Sequence, residues 1–535
     1  MTVPETYHHA PLHQRDDAHP PLTLGELVHE IPGASLADPS IARVRVRGVH
    51  HDSRRVQPGD VFVARAGAKA DGARFIADAK ARGAAAVLTA RGSQVETHGL
   101  PNLVADDVPR ALAFAAAAVY GHPTFALEVV GITGTNGKTT TAHLVQAAVD
   151  ASGGRTGIVG TLGYRFGDLD LAATHTSPEA DELARIAAGM RARGATHLVM
   201  EVSSIAIAAR RADAVRFRVA AFTNLTQDHL DYHGTMEAYA EAKARLFFEL
   251  APGGAAINVD DPFGRELAGR LAPDGPRGPH EAPLARFSAR VGAPPEDAEI
   301  APTSVRISHA GIEMTARTPV REVSLRSPLL GAHNVQNLLT ALSIAWLLDL
   351  DVVDAARALS APIPVAGRLE RCDDPTVDDV AVLVDYAHTP DALARVLSSV
   401  RGIGRDAGRV ICVFGCGGDR DAQKRPLMGE AVGSLADVAV VTNDNPRSED
   451  PRAIVNAILP GLLGGKAEVK VELDRRRAIE RAVLDATPGD VIILAGKGHE
   501  PYQIIGALTL PFDDRDEARR ALRRRREARA AETTR

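Results

Sequence analysis

A seven-residue run, Gly134-Thr135-Asn136-Gly137-Lys138-Thr139-Thr140, constrains this chain more than any other feature. It lies between an apolar run at 127–132, which reads as a strand, and a helical stretch at 139–151 that Gly153-Gly154 stops. A polyphosphate needs several donors converging on one anion. Glycines let backbone N–H groups line up without Cβ clashes, and the following helix presents its positive end. Lys138 then supplies a point charge to the terminal phosphates, and the Thr139 hydroxyl a ligand for Mg²⁺. Strand, glycine loop and helix in that order predict an α/β fold that consumes ATP. The common phosphate loop, Gly-x-x-x-x-Gly-Lys, would place glycine at 132, where this chain has Ile132. Ordinary GTPases and kinases therefore fit less well.

The loop sits in a chain of 535 residues, enough for three domains at about 100–200 residues each. Short Val/Ile-rich runs alternate with helical patterns, the sign of parallel sheets. Strands are expected at 43–49, 60–64 and 84–89, then at 196–201 and 219–225, then at 380–384, 410–414, 438–442 and 491–494. The divisions expected are a disordered tail at 1–24, an N-terminal α/β domain at 25–124 and a central parallel-sheet domain at 125–366. A C-terminal Rossmann-like α/β domain at 367–512 and a charged, solvated tail from 513 to 535 follow. His8, His9, His13 and His19 fall in the first tail, which has nothing to bury.

Net charge is −6, so nothing suggests a nucleic-acid partner. Three cysteines, Cys372, Cys412 and Cys416, argue against a disulfide framework and for a reducing cytoplasm. No signal peptide is visible, and no apolar run reaches about 18 residues, so membrane insertion is not expected. A monomer is expected.

One lysine is out of place. At 235–250, Thr235 suits a helix N-cap, and Met236, Tyr239, Ala240, Leu246, Phe247 and Leu250 share one face. Lys243 lies on that apolar stripe. It either snorkels outward or serves a site. Lysine is scarce, eight residues against fifty-four arginines, and Lys138, Lys243, Lys424 and Lys497 all fall in motif-like runs. A desolvated, neutral amine reacts with CO₂ to form a carbamate, an oxygen ligand for Mg²⁺. Glu201, Asn224 and His229 lie at predicted strand ends, where open α/β sheets place ligands. Glu201 and His229 suit a Mg²⁺ shell or a structural hydrogen bond equally well.

Taken in order, several motifs resemble one family. They are GITGTNGKT ending at Thr139, EVSS from Glu201 to Ser204, and TNLTQDHLDYHG from Thr223 to Gly234. His333-Asn334 with Asn337, GRLE from Gly367 to Glu370, and DYAHTP from Asp385 to Pro390 complete the set. Together they resemble the Mur ligases of peptidoglycan synthesis over roughly residues 25–510. Asp52-Ser53-Arg54 with Pro58-Gly59-Asp60 is similar to that family's uridine-nucleotide domain.

The resemblance implies that ATP phosphorylates the D-glutamate carboxylate of UDP-N-acetylmuramoyl-L-alanyl-D-glutamate and that an amine attacks the acyl phosphate. It implies that Lys243 is carbamylated and that, with Thr139, Glu201 and His229, it serves the metal. It places Asn337, Arg368 and Asp385 around the nucleotide, with His388 beside them. Ser53, Thr176, Ser177, Ser203 and Arg211 are implied on the sugar-peptide substrate. Asp444-Asn445-Pro446-Arg447 resembles the signature of members that add meso-diaminopimelate, with Arg420, Gly496 and Glu500 as further contacts. A guanidinium at Arg447 would clamp the carboxylate that diaminopimelate has and lysine lacks.

The chain departs from the family in places. Ile205-Ala206-Ile207 follows Ser204 where the family has His and a small residue, and Ala209 stands where Gln is usual. Three competing readings are weaker. A folate polyglutamate ligase normally carries Gly-Lys-Gly-Ser at the loop, where this chain has Thr139-Thr140 after Lys138. A simple phosphotransferase leaves Lys243, His229 and the Asp444 motif unexplained. A non-catalytic relative has no need of Lys138, Glu201, Lys243 and His229.

Overall fold

The computed structural model describes residues 20–66, 71–272, 282–308, 311–401 and 408–533. His8, His9, His13 and His19 lie outside them. Three α/β domains follow one another along the chain.

The N-terminal domain is built on a five-stranded sheet in the order Ala34–Leu36, Asn102–Ala105, Ala86–Ala90, Asp60–Val63, Gly48–His50. All pairs are parallel except the first. The run at 43–49 is expected as one strand, but the chain breaks it at Arg47. Arg45–Val46 pairs antiparallel with Leu22–Thr23, whereas Gly48–His50 pairs with Asp60–Val63. The chain changes partners there, and Arg47 N–H donates to the Gly59 carbonyl at 2.9 Å.

The central domain carries an eight-stranded sheet in the order Leu169–Leu171, Gly163–Phe166, Thr156–Gly160, His197–Glu201, Glu128–Thr133, Val219–Phe222, Ala255–Asn258, Leu284–Phe287. From Thr156–Gly160 onward the strands are parallel, and the first two form an antiparallel edge. Glu128–Thr133 sits between His197–Glu201 and Val219–Phe222, the point where strand order reverses. Crevices at such a point receive ligands at the carboxyl ends of the strands. One face of the sheet is covered by Lys138–Ala151 and the long buried helix His333–Leu347, the other by Ala180–Ala192, Met236–Phe248 and Pro262–Leu271. A three-stranded antiparallel sheet, Ala301–Ser308, Gly311–Arg317 and Glu322–Ser327, packs its apolar side on the first face.

The C-terminal domain has a six-stranded sheet in the order Glu370–Arg371, Ala381–Asp385, Val491–Ala495, Val410–Phe414, Val438–Val441, Glu468–Val471, parallel after the first strand. The charged end, helix-prone in sequence and expected to be solvated, forms the helix Asp514–Thr533, and one face of it lies in the core. Ala518, Ala521 and Leu522 are buried against the helix Arg475–Leu484 and the sheet. Charged residues dominate the composition, but Ala518, Ala521 and Leu522 fall on one face of its first half.

The anchor of that helix is a wholly buried ion pair, Arg475 Nη2 to Asp514 Oδ2 at 2.6 Å. Arg475 also donates to the carbonyls of Ala495 at 2.9 Å and Asn443 at 3.4 Å, so it ties two strand ends to the C-terminal helix. Removing one partner leaves a buried charge uncompensated. Asp514→Ala should therefore cost about 3–5 kcal/mol of C-terminal-domain stability, read as an earlier transition in urea unfolding; an unshifted transition would show that the pair is not needed.

Candidate active site

The phosphate loop follows the central strand, and its glycines are required by contact as well as by conformation. Gly134 has φ +145, and a Cβ there would stand 1.9 Å from Thr223 Oγ1. Gly137 has φ +89, and a Cβ there would meet Asn337 Oδ1 at 2.4 Å. The neighbouring strand end holds the loop from one side. Thr135 N–H donates to the Asn224 carbonyl at 2.8 Å, Asn136 N–H to Asn224 Oδ1 at 3.0 Å, and Thr223 Oγ1 to the Asn136 carbonyl at 2.6 Å. The strand expected at 219–225 ends at Phe222 because Thr223 and Asn224 turn to make these bonds, and Leu225 N–H donates to Asp261 Oδ2 instead of a neighbouring strand.

Glu201 holds the other side. Its carboxylate accepts from Thr139 Oγ1 at 3.0 Å to each oxygen, from Thr161 N–H at 2.9 Å and from Thr161 Oγ1 at 3.2 Å. Thr176 Oγ1 lies 3.1 Å from Thr161 Oγ1, and Arg368 donates to Thr139 Oγ1 at 3.1 Å. Arg368 also stacks on Tyr386, 4.8 Å from the ring centre. Asp385 is buried and accepts from the N–H groups of Leu369 and Ala387. Burial raises its carboxyl, and Arg368 opposes the rise.

These groups line a cleft of about 230 Å³ whose walls include Asn136 to Thr140, Thr176, Glu201, Ser203, Asn337, Arg368 and Asp385. A larger cavity of about 710 Å³ adjoins it. The two share Thr176, Asp228, His229, Tyr386 and His388. Arg420, Asp444, Asn445, Arg447, Gly496 and Glu500 line the far end of the second cavity.

Around the junction the charges are closely spaced. His229 takes a left-handed backbone, φ +54, and its Nε2 lies 3.5 Å from Asp228 Oδ2. Burial would raise the Asp228 carboxyl, but His229, His388 and Lys138 outweigh it and hold it low. Lys243 is 1% exposed, so it does not snorkel outward. Its Nζ stands 4.3 Å from the centre of the Tyr239 ring, the ring that His229 meets edge-on at 6.3 Å. Among the described residues no carboxylate forms an ion pair with it. Burial, reinforced by nearby Lys138, holds its amine well below the usual lysine range. Thr235 caps this helix as expected, accepting from Ala238 N–H.

At the far end, Arg447 also has a left-handed backbone, φ +51. Its N–H donates to the Ile504 carbonyl at 3.1 Å, and its carbonyl accepts from Gly506 N–H at 2.7 Å, so the hairpin Tyr502–Ile505 with Leu508–Pro511 fixes it. Its guanidinium donates to the Gly418 carbonyl at 2.8 Å. Pro446 packs its carbonyl where a side chain on Gly418 would be. Arg420 is exposed at the cavity mouth.

Other expected residues are not brought to these cavities. Ser53 is buried in the N-terminal domain beside Asp78. Ser177 is buried and donates to the Glu201 carbonyl at 2.8 Å. Arg211 pairs with Glu179 at 2.7 Å and donates to the Ser177 carbonyl. Ile205, one of the departures, lines the larger cavity.

Asp228, Thr161 and Asp391 join the site beyond the residues expected there. Asp228 stands directly before His229 in the same motif, so a signal was present. Thr161 lies at a distant strand end and carries none. Asp391 opens the helix Pro390–Val400 and accepts from both Asn136 Nδ2 and Thr226 Oγ1 at 3.1 Å, joining the C-terminal domain to the phosphate loop.

The same arrangement of chain exists in known proteins. Residues 45–123 match the model of the Mur ligase family, catalytic domain, residues 132–345 the Mur ligase middle domain, and residues 367–498 the Mur ligase, glutamate ligase domain. A UDP-N-acetylmuramoyl-L-alanyl-D-glutamate–2,6-diaminopimelate ligase of Gloeobacter violaceus is 44% identical over 486 residues, 90% of this chain and 95% of that protein. The enzyme of the same name from Geobacter metallireducens is 44% identical over 513 residues, 92% of this chain and 96% of that one. A solved structure of a ligase with that name is 32% identical, covers 94% of this chain and 99% of its own, and superposes with a TM-score of 0.67. No helix among the described residues is long and apolar enough to cross a membrane.

The two glycine contacts can be tested directly. Gly134→Ala should weaken binding of a fluorescent ATP analogue by about tenfold or more, because strained backbone and overlap with Thr223 each cost on the order of 1–3 kcal/mol. Binding equal to wild type would mean that the loop rearranges freely.

Proposed function

The chain belongs to the Mur ligase family, and from that premise we propose that it joins meso-diaminopimelate to UDP-N-acetylmuramoyl-L-alanyl-D-glutamate, driven by ATP, in peptidoglycan precursor synthesis. The observation that carries the reading is the pair of abutting cavities. One is lined by the phosphate loop, the other by Arg447, and they meet at Thr176, Asp228, His229 and His388. A carboxylate at that junction faces phosphate on one side and an amine on the other.

The chemistry follows from this placement. The γ-phosphoryl group passes to the D-glutamate carboxylate, giving an acyl phosphate and ADP. The amine then adds to the acyl carbon, and the tetrahedral adduct expels phosphate as the nitrogen loses its proton. The protein positions the reactants and neutralises charge. Lys138 and the loop N–H groups meet the phosphates. Asn337, Arg368 and Asp385 surround the nucleotide. Arg447 and Arg420 meet the distal carboxylate of diaminopimelate, while Asp444 and Glu500 accept from its ammonium, and Asn445, which donates to Glu500 at 2.9 Å, holds that carboxylate in place. Thr176 and Ser203 serve the sugar-peptide from the cavity walls, Ser177 and Arg211 through the strand end at Glu201 that they hold, and Ser53 from the N-terminal domain.

The residues also fit a magnesium ion. The Thr139 hydroxyl, the Glu201 carboxylate and the His229 imidazole supply the donor types that such a site uses. Lys243 fits the remaining place. It is buried, feels the charge of Lys138 and forms no ion pair among the described residues, and burial outweighs the opposing pull of Asp228 to hold its amine toward the neutral form that adds CO₂. Addition of CO₂ to the neutral amine, with loss of one proton from the nitrogen, gives a carbamate whose anionic oxygens would ligate the metal. Bound magnesium would offset charge on the transferring phosphoryl group. The chain is proposed to act in the cytoplasm, as a monomer.

Phosphate release from ATP should require both the UDP-muramoyl-dipeptide and meso-diaminopimelate. Equal turnover with L-lysine would sink the specificity. Arg447→Asn should raise KM for diaminopimelate at least about tenfold and leave KM for ATP in place; unchanged kinetics would remove Arg447 from the pocket. Lys243→Ala should lower kcat by roughly 100-fold or more, and normal turnover by that variant would rule out the carbamate.

A further inference from the structure

Behind the wall that Asp444, Asn445 and Glu500 present to the larger cavity stands Lys497, wholly buried and lining neither of the two cavities. Its Nζ donates to Asn445 Oδ1 at 3.2 Å and to Glu500 Oε2 at 3.2 Å, and lies 3.6 Å from Asp444 Oδ1. That Asp444 oxygen is buried with no hydrogen-bond partner, so the ammonium is what meets its charge. An ammonium has three donors and no acceptor, and here it faces three acceptors. The chain is bent to put it there. Gly496 and Gly498, on either side, have φ +112 and φ +54. A Cβ on Gly496 would lie 2.8 Å from Asp444 Oδ2, and one on Gly498 would lie 2.7 Å from Tyr386 Cβ.

We infer that Lys497 is a positioning residue for the incoming amino acid, holding Asp444 and Glu500, directly and through Asn445, which accepts from Lys497 and donates to Glu500, as a pair of carboxylate acceptors for its ammonium group. The inference rests on the function proposed above. Two carboxylates facing one another at a cavity wall repel, and burial favours the protonated form of Glu500. Lys497 opposes both tendencies. With it, the two carboxylates and one ammonium carry a single net negative charge, which one incoming ammonium neutralises. Arg447 and Arg420 meet the carboxylate of the same head group. Lys497 thus bears on the affinity for the amino acid and leaves phosphoryl transfer, in the other cavity, alone.

The test is a steady-state comparison of wild type with Lys497→Met, Lys497→Gln and Lys497→Arg, all in the full chain. For the Met and Gln variants KM for meso-diaminopimelate should rise roughly 30-fold or more, because a buried charge pair loses one partner. KM for ATP and for the UDP-muramoyl-dipeptide should stay within about twofold. The Arg variant keeps the charge and should recover most of the loss. A diaminopimelate KM unchanged in the Met and Gln variants overturns the inference, as does an equal rise in all three KM values. If the Met variant does not fold, the Gln and Arg variants decide, and equal diaminopimelate KM values in those two overturn it. Wild-type enzyme that does not respond to diaminopimelate instead overturns the proposed function, a distinct result.

Discussion

The buried carboxylate of Glu201 is the fixed point of the molecule. It ends the strand beside the phosphate loop and gathers the Thr139 hydroxyl from the loop and both donors of Thr161 from the next strand. Arg368, at the start of the C-terminal domain, reaches the same hydroxyl. A buried carboxylate is tolerated only when its lone pairs are met, so each of these donors is held by the cost of leaving it. The loop, the antiparallel edge of the sheet and the neighbouring domain are thereby brought to one place.

From that point the architecture assigns separate tasks. The central sheet offers a strand-order reversal, and the loop fills it. The C-terminal sheet offers its own carboxyl edge, and Asp385, Asp444 and Gly496 emerge from it toward the central domain. Two cavities with different charge characters meet because two sheets point the same kind of edge at each other. His229 and Arg447, two of the non-glycine residues with a left-handed backbone, lie in the second cavity, where their neighbours overrule the usual backbone preference.

Much of this was legible in the residues. Val410–Phe414 and Val438–Val441 are continuous apolar runs buried on both faces, and such runs leave little room for misreading. The glycine loop carries its own chemistry, and Lys243 on an apolar stripe left two outcomes open, a snorkelling side chain or a buried amine, of which the structure shows the second. What escaped depends on distant pairing. The three-stranded sheet from Ala301 to Ser327 alternates polar and apolar residues but needs a partner face to be recognised. The C-terminal helix reads as a solvated tail because its arginines outnumber the few residues it buries. The break at Arg47 exists only because Leu22–Thr23 competes for the same strand. Thr161 and Asp391 join the site through bonds spanning tens to hundreds of residues, which no local pattern records.

The bonds from Asn136 and Thr226 to Asp391 carry one further consequence. A helix of the C-terminal domain grips the loop of the central domain, so the conformation of the loop and the docking of that domain share one free-energy term. Hydrogen bonds to a charged group set its scale at about 1.5–3 kcal/mol each. Such coupling is reciprocal: whatever the docked domain adds to the grip on a nucleotide, the nucleotide adds equally to the docking. The phosphate loop is in this sense a thermodynamic sensor, reporting to the second cavity whether the first is filled.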